Sequence, residues 1–247
     1  MRKKHQAVLA LLACSLLIAP VAARASTNLG LQITSGMSQA TLCDDNVDFT
    51  GCAHNANDNS GTTGKINFDG SIGGWNANTD VGQGPPLLHL KPLLDITYQQ
   101  LSTNGTSDPI KIALTVIGLD LSGGFPTGLL QAMQTIGGNG NHASTTISLQ
   151  AFVDAQNRAF CGAGCGTALT SLLNFSSSHY DLSSSGMANA GSGPYSITFE
   201  LTIDSHGLDE NETGDARLDI PEPATLSVLG AGLLAFGTGL RKRLLRA

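Results

Sequence analysis

From residue 195 to residue 203 every second position is apolar. Tyr195, Ile197, Phe199, Leu201 and Ile203 alternate with Ser196, Thr198, Glu200 and Thr202. A period of two is the mark of a half-exposed antiparallel strand, one face in a core and the other in water. Ile147, Leu149, Ala151 and Val153 repeat it, whereas Ile110–Leu119 is fairly apolar on both faces. Further short segments bounded by Gly, Asn, Asp and Ser predict strands at Leu29–Thr34, Lys65–Phe68, Ile72–Asn78, Leu93–Leu101, Thr145–Val153, Leu169–Phe175 and Ala216–Ile220. Eight or nine strands with frequent turn residues point to an all-β fold, a single β-sandwich or jelly-roll-like domain. Only Pro126–Ile136 hints at a helix, with Pro126 at its first position and Gly137-Gly138 past its end. The same stretch is equally compatible with a strand or loop.

The two ends break this pattern. Arg2, Lys3 and Lys4 precede an apolar run, Ala7–Ala19, and small residues close the segment at Ala23-Arg24-Ala25. A basic start, a short apolar stretch and an A-x-A-like end predict a secretory signal peptide over residues 1–25, cut after Ala25 to leave Ser26. The competing reading, a retained membrane anchor, needs about 20 apolar residues. At the other end Pro221-Glu222-Pro223 leads into an apolar run, Ser227–Leu240, and then a basic cluster, Arg241, Lys242, Arg243 and Arg246. The prolines keep the motif extended. The basic end favours the cytoplasmic side of a membrane. The expected organisation is residues 1–25 signal peptide, 26–215 extracellular domain, 216–220 linker or last strand, and 221–247 a tail with a transmembrane helix.

Removing both ends changes the charge. Residues 26–220 hold five Lys or Arg against eighteen Asp or Glu, a net charge of −13. Such a surface repels phosphate backbones, so nucleic acid is not an expected partner. Cys43, Cys52, Cys161 and Cys165 remain after signal removal. An even count in an exported chain predicts disulfides, with the local pairs Cys43–Cys52 and Cys161–Cys165 favoured among three connectivities. The spacing is a poor match for zinc.

Candidate chemistry is sparse. Asp209-x-Asn211-x-Thr213-Gly214 starts like a calcium loop, but its twelfth position is Ile220 rather than a bidentate Glu. An acidic linker is the competing reading. Asp44, Asp45, Asp48 and Asp58 form a second, weak calcium candidate, against a solvated loop. His54, His89, His142, His179 and His206 show no H-E-x-x-H spacing, and no G-x-S-x-G elbow occurs. Trp75 sits in a predicted strand and is expected in the core rather than on a sugar platform. No catalytic group and no cofactor is expected, calcium being the one candidate.

The tripartite tail from Pro221 to Ala247 resembles the PEP-CTERM sorting signal in motif, spacing, Gly/Leu-rich span and Arg-rich end. The resemblance implies export by Sec-type machinery and signal peptidase, transient anchoring in the inner membrane with the C-terminus inside, and cleavage by an exosortase near Pro221-Glu222-Pro223. Gly64–Trp75, Gly84–Leu88, Leu94–Ile96 and Gly193–Ile197 resemble, more loosely, the β-rich extracellular domain of many such proteins. Together these imply a non-enzymatic cell-surface or extracellular-matrix protein associated with exopolysaccharide or biofilm matrix. The alternatives are a glycan-binding or glycan-hydrolysing sandwich, and an adhesion module using strand edges.

Overall fold

The computed structural model describes residues 28–44, 58, 60–79, 82–85, 93–120 and 125–221. Within them lie β1 (Asn28–Ser35), β2 (Ser38–Cys43), β3 (Phe68–Ile72), β4 (Trp75–Thr79), β5 (Leu94–Asn104), β6 (Ile110–Leu119) and β7 (Leu129–Asn139). The second half adds β8 (Thr146–Asp154), β9 (Thr167–Ala168), β10 (Leu173–Ser176), β11 (His179–Asn189), β12 (Tyr195–Asp204) and β13 (Asp209–Asp219). One sheet runs β10-β8-β12-β6-β1-β2 with β9 also on β8, and the other runs β11-β7-β13-β5-β4-β3. From β5 onward the chain changes sheet at nearly every connection, only β9 and β10 staying beside β8. This winding gives an all-β sandwich, as the alternation predicts.

The inner faces explain why the sheets close on each other. Ile110, Ile112, Leu114 and Val116 of β6, and Tyr195, Ile197, Phe199, Leu201 and Ile203 of β12, are buried against Leu94, Ile96 and Tyr98 of β5 and Ala216 and Leu218 of β13. Trp75 is fully buried and donates its indole N–H to the Asp108 carbonyl at 2.8 Å, a core role. Leu218 lies opposite Leu94 where β13 ends, and Asn28 lies opposite Ile117 near the end of β6. Both ends of the described sandwich therefore emerge at the same end of the molecule.

Several expectations are corrected. Pro126–Ile136 is no helix: it leads into β7, where Leu130, Ala132, Gln134 and Ile136 alternate inward and Gly137-Gly138 continue the strand. The predicted strand Ile72–Asn78 is a hairpin, because Gly73 takes a positive φ of 57° and turns β3 into β4. Lys65 makes only an isolated bridge to Gln83, and the strand proper begins at Phe68. Leu169–Phe175 divides, with β9 ending at Ala168 and β10 starting at Leu173. Ala216–Ile220, expected as a linker or last strand, is the end of that strand, since its residues to Asp219 finish the eleven-residue β13. Strands β2 and β11 are not predicted by the pattern, because the run Ser183–Gly186 in β11 and Ser38–Thr41 in β2 carry no apolar period of two.

The outer face of β12 is also less exposed than its alternation implies. Ser196 and Thr198 are buried because the segment after β8 folds over them. Ser196 donates to the Arg158 carbonyl at 2.6 Å, and Thr198 shares a hydrogen bond with Thr115 at 3.1 Å. Arg158 clasps Asp154 through its Nε and Nη2 at 3.0 Å each, and the Cys161–Cys165 disulfide closes the cover. Cys43 is also disulfide-bonded. Its expected partner Cys52 lies outside the described residues, as do the signal peptide and everything from Glu222 onward.

Candidate functional site

The outer face of the six-stranded sheet carries the groove. Cross-strand rows read directly from the register: Thr97, Asp215, Gly137 and Asp181 lie side by side, and the next row is Asp95, Arg217, Thr135 and Ser183. Neighbouring strands stand about 4.8 Å apart, so each row presents a ladder of polar groups. Gly137 contributes no side chain to its row, and the sheet dips there. The resulting open groove of about 590 Å³ is walled by Thr97, Gln99, Asn139, Thr213 and Asp215. At one end of it the β5–β13 register shifts between Glu212 and Gly214, beside Gln100 at φ 53°.

Beside the groove lies a charged cluster. Thr97 donates to Asp215 at 3.0 Å, and Arg217 Nε meets Asp215 at 2.7 Å and Asp95 at 3.8 Å. Asp95 is pushed up to about 7, first by burial and then by its hydrogen bond to the Asp215 carboxyl, with Arg217 opposing. Its Oδ1 is buried with no hydrogen-bond partner. Arg217 Nε thus faces both carboxyls, and a proton on Asp95 relieves the repulsion between them.

Beneath the groove, on the inner face, runs a second polar chain. Tyr98 and Tyr180 share a hydroxyl–hydroxyl bond of 2.7 Å, and Tyr180 donates to Glu212 Oε2 at 2.9 Å. Glu212 is fully buried, its Oε1 has no partner, and burial raises it to about 7. Glu210, also buried, accepts from Thr145 and from the backbone N–H groups of Asn141 and Asn211. The two phenols fit only because Gly138 and Gly214 lie over them. A Cβ at Gly138 would press on the Tyr180 hydroxyl, and one at Gly214 on the Tyr98 hydroxyl.

The residues singled out in the sequence fall elsewhere. Asp209, Asn211 and Thr213 are exposed alternate positions of one extended strand. Successive members stand roughly 6.8 Å apart, so the strand does not wrap them around one cation. Asp44 accepts from Gly64 N at 2.7 Å, and Asp58 Oδ1 accepts from Ser60 N and Asn67 N, so both organise a turn. Asp45 and Asp48 lie outside the described residues. Among the described residues no group of three or more His, Cys, Asp or Glu is placed to hold a metal. Sequence reasoning passed over Glu210 and Glu212, which the same strand turns inward, and over Asp95, whose partners lie more than a hundred residues away. The only local hint was the alternation of charge at Asp215, Arg217 and Asp219.

No curated protein matches the chain in sequence. Solved structures similar to it include the enzymatically active domain of bacteriophage CBA120 tailspike protein 4 (12% identity, TM-score 0.30, 64% of this chain and 19% of that one). The chain thus spans about a fifth of that protein. Others are the xylan-binding domain of a family 22 module from Paenibacillus barcinonensis (10% identity, TM-score 0.28, 63% and 91%), and a promiscuous carbohydrate-binding module of the β-sandwich superfamily (12%, 0.32, 81% and 75%).

The last strand carries its core residues to the end of the described chain. Leu218 and Ile220 are buried, Leu218 O accepts from Leu93 N at 2.7 Å, and the described chain ends at Pro221. Pro221, Glu222 and Pro223 therefore follow the last core residue without a spacer. Residues 219–243 match the PEP-CTERM protein-sorting motif, so this chain carries a PEP-CTERM sorting signal that starts where its β-sandwich ends.

Proposed function

We propose that this is an exported protein that an exosortase cuts near Pro221-Glu222-Pro223, and that the freed sandwich is a non-enzymatic surface or matrix component that binds extracellular polysaccharide. The observation that carries the sorting half is the abutment of motif and core. Among the described residues all strands precede Pro221, and Ile220 is the last buried one. A cut at the motif leaves every core contact among the described residues intact. The tail that is lost holds the basic stop Arg241, Lys242, Arg243 and Arg246, and the product keeps the acidic domain.

The groove supports the binding half. It is open, lined by hydroxyl, amide and carboxyl groups on adjacent strands, and lies on a sheet face that nothing else in the described structure covers. That lining suits an extended chain rich in hydroxyl groups. The Asp95–Asp215 pair favours considering a hydrolytic role as well. Glycosidase carboxyls flank the scissile bond as a free acid and base, whereas Arg217 Nε lies 2.7 Å from Asp215 and 3.8 Å from Asp95, so these two are engaged by a cation. Binding is therefore the preferred reading.

Intact mass of the protein recovered from fractionated cells tests the sorting half. A mass ending near Pro221-Glu222-Pro223, found outside the inner membrane, is expected; a full tail in that membrane overturns it. Binding is tested by retardation of the protein in gels containing the producing cell's own polysaccharide. Retardation lost in Gly137→Leu is expected, and equal retardation of both proteins rejects the groove.

A further inference from the structure

The end of the sandwich from which the tail departs has an apolar outer lip. Asp219, the last residue of β13, lies opposite Met133 of β7. Strand β7 begins four residues earlier, at Leu129, and β11 stays paired with it to Asn189 opposite Leu129. The β7–β11 pair therefore projects past the end of β13 by roughly 13 Å. On the outer face of this pair stand Leu129, Met133 and Met187, which are 70%, 42% and 64% exposed. They are three of the six large apolar side chains exposed among the described residues, and they share one face. Register makes them neighbours: Met187 lies opposite Gln131, between Leu129 and Met133 along β7.

We infer that this lip rests on the lipid surface of the membrane in which the tail is anchored. The inference rests on the reading of residues 221–247 as an inserted sorting tail. Five residues, Glu222–Leu226, separate Pro221 from the apolar run Ser227–Leu240. Fully extended, that tether reaches no more than about 20 Å. A sandwich tied so closely to hydrocarbon meets the bilayer with whatever its C-terminal end presents, and this end presents two methionines and a leucine. Exposed apolar groups gain from leaving water at such an interface. The charge nearby is acidic: Asp219 beside Met133, with Asp215 and Asp181 farther along the face. The contact is therefore apolar insertion into a zwitterionic surface rather than attraction to anionic lipid. The lip would hold the domain in one orientation while the Pro-Glu-Pro segment is presented to its enzyme, and cleavage would release it.

The full chain, reconstituted through its tail into phosphatidylcholine vesicles, provides the test. A Met187→Trp variant reports on the lip and a Met37→Trp variant on the opposite end, where Met37 is fully exposed in the β1–β2 turn. Native Trp75 is buried and forms a common background. With brominated phosphatidylcholine, quenching of the added fluorescence at position 187 at least twofold greater than at position 37 is expected. Adding anionic lipid should weaken it. Equal quenching at the two positions, in protein that alkaline carbonate does not strip from the vesicles, overturns the lip while leaving the sorting reading intact. Chain that carbonate strips off overturns both. Quenching at position 187 that appears only after an exosortase is added assigns the lip to the enzyme and overturns the lipid contact.

Discussion

The side-chain amide of Gln134 and the hydroxyl of Thr170 are buried against each other, with Thr170 Oγ1 donating to Gln134 Oε1 at 2.6 Å. Gln134 belongs to the six-stranded sheet, and its Nε2 donates to Leu149 O of the seven-stranded sheet at 3.0 Å and to Ser171 O at 2.9 Å. Thr170 Oγ1 in turn accepts from Ala151 N at 2.9 Å. One polar pair thus fastens β7 of one sheet to β8 of the other. Gln134→Leu strands these groups, and each buried orphan costs about 1–3 kcal/mol. A loss of roughly 2–4 kcal/mol in urea unfolding is expected, with the midpoint lowered and the slope unchanged.

The glycines of the groove separate stability from binding. A Cβ at Gly137 meets only Tyr180 O at 3.7 Å, an ordinary contact. Gly137→Leu should therefore unfold within about 0.5 kcal/mol of the parent while filling the groove. Gly214→Ala and Gly138→Ala press on the buried phenols and should each cost roughly 1–3 kcal/mol. Thermal unfolding of the three variants side by side checks this ordering.

Stability should rise as the solution becomes more acidic through neutrality. Glu212 and Asp95 both have folded pKa values raised to about 7, so the folded chain holds protons that the unfolded chain has released. For these two groups stability is full below the unfolded values of 4.5 and 3.8, falls as pH climbs toward 7, and levels off above it. The combined change is of the order of 1–3 kcal/mol. Asp154, which burial raises but the hydrogen bonds from Arg158 pull lower still, adds the opposite slope only at the acid extreme. Melting temperatures from pH 5 to 8.5 should decline for the parent and be flatter for Glu212→Gln.

Opening the Cys161–Cys165 bond removes the closure of the cover over β12. In the loop-entropy picture so short a ring is worth roughly 2 kcal/mol. Cys161→Ser with Cys165→Ser should lose about that much in chemical unfolding. Amide exchange should quicken at Ser196 and Thr198, whose burial depends on this segment, and stay slow at Ile110–Val116.

Truncation should locate the end of the domain within four residues. A chain stopping after Pro221 keeps Leu218 and Ile220 in place and should melt with the parent. Stopping after Arg217 removes both buried side chains, each worth roughly 2–3 kcal/mol in transfer alone, and should lower the urea midpoint severely or prevent folding.

Legibility of the fold followed the reach of each physical signal. β8 and β12 were readable because apolar alternation is a property of a strand and its own side chains. β7 was ambiguous because LLQAMQ satisfies a helical and a strand period at once, and pairing with β11 and β13 decides between them. The calcium-like run in β13 has oxygen side chains at the right intervals, but those intervals are also the period of a strand, and the strand won.

By itself the sequence determined the all-β class, most of the strand-forming segments, the acidic charge and the sorting signal, because each is carried by neighbouring residues. Only the tertiary structure decided which faces are covered, where the sheet dips, and which carboxyls lose water. Thr97 and Asp215 meet across 118 residues, Tyr98 and Tyr180 across 82. Burial and hydrogen-bond partners are set by cross-strand register, and in a sandwich whose chain alternates between sheets that register joins segments with no local trace of each other.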